Sequence, residues 1–104
     1  MSDQFRSTTV TINNPQGLHM RPAYLFVSIA SKFESKIEVV KDDIRIDGKS
    51  VLDVLTLGAT QGTKVSVEAT GSDAELAIAA LEELVESGFP APADSTQPGN
   101  APGV

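Results

Sequence analysis

The chain contains no cysteine and only one histidine, His19. The first absence excludes disulfides, thiolate nucleophiles and thiolate metal sites, and a lone imidazole supplies no ligand cluster for a metal. No metal and no cofactor is implied. Basic residues are also scarce, with 8 Lys and Arg against 14 Asp and Glu and a formal charge of -6. Nucleic acid and anionic lipid surfaces are bound through clustered cations, so neither is an expected partner. No apolar run approaches the ~20 residues of a membrane-spanning helix. The opening MSDQFRSTTV lacks the basic start and apolar stretch of a signal peptide, so a cytoplasmic protein is expected. Missing too are a Gly-rich phosphate loop with lysine, a convincing carboxylate pair and any internal repeat.

What is present suits one globular domain: 104 residues, 40% hydrophobic and 21% charged. STTVTI places Thr8, Val10 and Ile12 on one side of an extended chain, the period of a half-buried strand, and NNPQG ends it as a turn. From Met20 to about Lys32, Ala23, Phe26, Val27 and Ala30 recur at helical spacing. KIEVVK and IRID alternate around Asp42 and Asp43 as a hairpin. SVLDVLTLG predicts a short helix with Ser50 as N-cap, Asp53 as capping-box partner, an apolar side of Val51, Leu52 and Leu55, and Gly58 as its stop. TKVSVEA is a fourth strand. In GSDAELAIAALEELVESG, Ser72 is the expected N-cap, Glu75 closes the box, Ala77, Ile78, Leu81 and Val85 face a core, and Gly88 ends the helix.

The order β-α-β-β-α-β-α with one-sided strands predicts an α+β fold, an open-faced β-sandwich: a four-stranded antiparallel sheet with three helices on one face. Residues 1–88 are the expected domain. Residues 89–104, rich in Pro, Gly and Ala, are expected to form a flexible tail.

His19 stands at the start of the first helix, in QGLHMRPA. Pro22 fits only the first turn, where its missing N–H costs nothing. A lone histidine at such a place is commonly a solvated or capping residue. Here, however, free backbone N–H groups and the positive end of the helix dipole favour an anion, and Arg21 can fork onto phosphate oxygens. An imidazole is largely neutral near pH 7 and keeps a nucleophilic lone pair. Phosphoryl transfer asks mainly for positioning and charge neutralisation, so these residues suit a phosphoryl carrier better than an enzyme with its own small substrate.

NPQGLHMRPA resembles the phosphorylation-site motif Gly-Leu-His-x-Arg-Pro-Ala of the HPr family, the histidine-containing phosphocarriers of the bacterial phosphoenolpyruvate-dependent sugar phosphotransferase system. The similarity continues through FVSIASKF, GKSVLDVLTLGATQG and the last helix, about residues 7 to 87. It implies that His19 accepts a phosphoryl group on Nδ1 from phosphorylated enzyme I and donates it to enzyme IIA domains. Arg21 then stabilises the phosphate and Pro22 fixes the helix start. Met20, at the variable position of the motif, and Val51, Leu52 and Leu55 match the family's partner-binding surface. Ser50 matches the regulatory serine that HPr kinase/phosphorylase modifies in some bacteria, although Ser-x-x-Asp is also what an ordinary N-cap looks like. A monomer is expected. A regulatory HPr-like protein, working in carbon or nitrogen control through phospho-His19 or phospho-Ser50, remains the alternative. In a third reading the chain is an adaptor whose histidine is only a cap.

Overall fold

The computed structural model describes residues 4–90. Its elements are β1 (Gln4–Thr11), α1 (Met20–Ala30), β2 (Lys36–Lys41), β3 (Ile44–Asp47), α2 (Val51–Thr56), β4 (Lys64–Gly71) and α3 (Ala74–Glu86). The expected order is the observed one. All pairings are antiparallel and the sheet order is β1-β4-β2-β3. Because β4 lies antiparallel to both β1 and β2, those two strands run parallel to each other, with α1 as the crossover between them. Likewise α2 carries the chain from β3 to β4 across the position of β2.

Strand alternation decides which face is covered. Val10, Ile37, Val39, Val65, Val67 and Ala69 are buried beneath the helices, where Ala23, Phe26 and Ala30 of α1 and Ala77, Ile78, Leu81 and Val85 of α3 meet them. Alanines at 23, 30, 74 and 77 are fully buried; they let α3 lie close to β1 and β4, and α1 pack against α2 and α3. The opposite face carries Thr9, Ser66, Glu68, Glu38 and Arg45. There Glu38 and Glu68 stand directly across from each other, and the Arg45 guanidinium on β3 bonds both carboxylates. Those two acidic neighbours raise the Arg45 pKa, the hydrogen bond it donates to Glu68 contributing most.

The last helix begins differently from expectation. Its N-cap is Asp73, not Ser72, and no side chain caps it. The Asp73 carboxylate is occupied elsewhere: it accepts from the Glu34 and Ser35 backbone N–H groups at 2.9 Å each, and from the buried Ser35 hydroxyl at 2.5 Å. Asp73 therefore ties α3 to the α1–β2 connection, and these bonds, led by that from Ser35, lower its pKa. Ser50 does cap α2, accepting from the Asp53 N–H at 3.1 Å. The reciprocal half of that box is not made, because the Asp53 carboxylate reaches the Asp47 N–H instead.

The boundary after Gly88 also shifts. Phe89 is 1% exposed and belongs to the core, so the domain extends past the expected tail start. Positions 91–104 of that tail lie outside the described residues. Among the described residues no helix is long and apolar enough to cross a membrane.

Candidate functional site

The connection between β1 and α1 is built from turn residues that lock onto one another. The Gly17 N–H bonds the Asn14 carbonyl at 3.0 Å, and the Asn14 Nδ2 donates to the Gly17 carbonyl at 2.6 Å. Gly17 has φ +69, in the left-handed region, and a Cβ there would lie 2.5 Å from the Ala59 carbonyl oxygen. Only glycine fits. The next residue, Leu18, is buried and donates its N–H to that same carbonyl at 2.9 Å. Four residues further on, Pro22 and then Ala23 are buried. His19 thus stands exposed between two anchored segments of backbone.

His19 is the N-cap of α1, with extended backbone (φ -82, ψ -166), and its carbonyl accepts the first helical bond from the Ala23 N–H at 3.0 Å. Its imidazole makes no capping bond, so the ring remains available to a partner. The N–H groups of Met20 and Arg21 have no acceptor among the described residues, and Pro22 has no N–H to offer. Two free donors and the positive helix end therefore meet the histidine.

A cleft of about 280 Å³ opens here, lined by Asn14, Pro15, Gln16, His19, Arg21 and Gly88. Arg21 joins it from the second position of the helix, and its Nη2 donates to the Phe89 carbonyl at 2.7 Å. The end of α3 is shaped for that contact. Gly88 turns left-handed at φ +81, its N–H bonds the Val85 carbonyl, and the Phe89 N–H bonds the Leu84 carbonyl, a Schellman closure. A larger depression of about 470 Å³ lies on α3 among Ala79, Glu82, Glu83, Glu86 and Ser87. Its three carboxylates repel phosphate, so the His19 cleft is the better anion site. Among the described residues no group of three or more His, Asp or Glu side chains is placed to hold a metal ion.

The remaining candidates lie on α1 and at α2. Met20 is 60% exposed and Leu52 71% exposed. Val51 and Leu55 are half-buried and pack against the core, so of the expected apolar side of α2 only Leu52 is fully presented to solvent. Val54, which the sequence pattern passed over, is the buried side chain of that helix. Helices α1 and α2 pack together. Ser50 caps α2 and does not line the cleft. Asn14, Gly88 and Phe89 were missed as site residues. Phe89 had a legible signal, because an apolar residue directly after the glycine that ends a helix commonly folds back on the last turn.

A helix start with two free N–H groups, an exposed histidine and an arginine in one cleft is the arrangement that a phosphoryl carrier needs. The family model described as the PTS HPr component phosphorylation site matches residues 6–87. The phosphocarrier protein HPr of Treponema pallidum is 40% identical over 81 residues, covering 78% of this chain and 92% of that protein. A crystal structure of HPr from Thermoanaerobacter tengcongensis superimposes with a TM-score of 0.79 at 48% identity, over 81% of this chain and 94% of the other. Crh, described as a catabolite repression protein of Bacillus subtilis that forms a domain-swapped dimer, gives a TM-score of 0.66 at 32% identity, over 79% and 94%. The chain belongs to the HPr family, the phosphocarriers of the phosphotransferase system.

Proposed function

We propose that His19 is the phosphoryl acceptor, taking the group on Nδ1 from phosphorylated enzyme I and passing it to enzyme IIA domains in the cytoplasm, the chain acting as a monomer. The observation that carries this reading is the cleft in which an uncapped His19 meets two free helix N–H groups and Arg21. In the step, the imidazole lone pair forms a new N–P bond while the donor's bond to phosphorus breaks and its electron pair stays with the donor. The free N–H groups and the guanidinium then offset the charge on the phosphoryl oxygens. Pro22 sets the helix start, and Met20, Val51, Leu52 and Leu55 are the partner-facing apolar residues. Incubation with phosphoenolpyruvate and enzyme I, followed by intact-mass measurement, tests the reading: one acid-labile adduct is expected, absent from His19→Ala.

A regulatory role is the second reading, favoured by the likeness to Crh and by the half-exposed cap Ser50. A phosphate on Ser50 adds negative charge at the start of α2, which the helix dipole tolerates, and alters the surface near Leu52. Incubation with an HPr kinase/phosphorylase and ATP is then expected to give an acid-stable adduct that Ser50→Ala lacks.

A further inference from the structure

We infer that Phe89 is a positioning residue for Arg21, an inference that rests on reading His19 as the phosphoryl acceptor. Among the described residues only Asp42 and Phe89 take positive φ without being glycine. Asp42 sits in a hairpin turn, where aspartate tolerates that conformation. Phenylalanine has no polar side chain to favour it, so the surroundings impose φ +55: the preceding Gly88 closure and the burial of the ring, 1% exposed. The polar outcome of this geometry is a carbonyl set 2.7 Å from the Arg21 Nη2.

That carbonyl is the one hydrogen-bond partner of the Arg21 side chain among the described residues, and no carboxylate pairs with it there. The difference matters chemically. An acidic partner would cancel the positive charge that a phosphoryl group needs. A peptide oxygen restrains an exposed, flexible guanidinium in the His19 cleft yet leaves its full charge and its remaining N–H groups free. Phe89 thus anchors the arginine through its backbone, and the ring anchors the backbone.

The test uses phosphoramidate, a small donor that needs no protein docking. Its P–N bond breaks, ammonia leaves and a P–N bond to the imidazole forms, and intact mass gives the initial rate. Phe89→Ala is expected to slow uptake about fivefold or more in the wild-type background, and less than about twofold in an Arg21→Ala background. Phe89→Leu, which keeps an apolar anchor, is expected to stay near the wild-type rate. Phe89→Gly, at ease in the left-handed region, carries the same comparison if the alanine variant does not fold. Equal slowing in both backgrounds, or none in either, overturns the inference. An adduct that persists in His19→Ala would instead overturn the acceptor assignment beneath it.

Discussion

Replacing Gly17 by alanine adds one methyl group where the backbone is left-handed and the new atom has nowhere to go. Its Cβ would sit 2.5 Å from the Ala59 carbonyl oxygen and 2.9 Å from the Thr60 Cα, both backbone atoms that no rotamer change can move. The left-handed conformation alone costs a non-glycine residue about 1 kcal/mol or somewhat more. Forcing atoms into a packed site adds about 1–3 kcal/mol, so the expected loss is about 2–4 kcal/mol. For a domain of this size that lowers the thermal midpoint by about 10–25 °C. Gly62→Ala is the matched control. Gly62 is also left-handed, at φ +91, but nothing lies within 4 Å of a Cβ there, so only the backbone penalty of about 1 kcal/mol applies. Thermal unfolding followed by circular dichroism separates the two. Equal losses would refute the reasoning, since they would mean that the Ala59 loop yields without cost.

Leu81→Ala removes a fully buried side chain and is expected to cost about 2–5 kcal/mol by denaturant unfolding, while Leu76→Ala, at a 67% exposed position, costs little. Asp73 has a lowered pKa, so its native carboxylate binds protons more weakly than in the unfolded chain. Its contribution to stability is then full above the ordinary carboxylate value of 3.8 and is lost as pH falls through its lower native value. Asp73→Asn is expected to flatten that acid limb in unfolding measured against pH. An unchanged slope would mean that other carboxylates set it. Arg45→Met leaves Glu38 and Glu68 facing each other with only the Lys36 ammonium, 3.5 Å from the Glu38 carboxylate, to offset them; its midpoint is expected to fall at low ionic strength and to recover as salt screens the pair.

Most of the fold was legible because its strands alternate cleanly and its helices keep their apolar spacing. Val10, Val65 and Val67 fell on the buried face because period-2 alternation leaves no other choice. The capping residues were harder to read. Ser72 and Asp73 are equally good caps in sequence, and what decided between them was the connection after α1, whose Glu34 and Ser35 donors take the Asp73 carboxylate. No local pattern reports that long-range contact. On α2 the pattern Val51, Leu52, Leu55 pointed to one apolar side, yet the fold buries Val54 and exposes Leu52. A helix of six residues is too short for periodicity to fix its rotation.

Within the site, Arg21 and Pro22 lie beside His19 because they share one helix turn with it. Phe89 escaped because proline at 90 and 92 made the segment read as tail. Its burial depends on the end of α3 folding back toward α1, a tertiary fact. Asn14 read only as turn chemistry, although the lock it forms with Gly17 is what holds the loop ahead of the histidine.

Whether His19 carries the phosphoryl group is open to one direct experiment. Wild type and His19→Ala are each mixed with phosphoenolpyruvate and enzyme I from the same organism, and their intact masses are compared before and after acid treatment. A single adduct is expected on the wild type, removed by acid and absent from the variant, with thermal midpoints nearly equal because the imidazole is exposed and makes no capping bond. No adduct on the wild type, or one that survives in His19→Ala, would contradict the assignment of His19 as the acceptor.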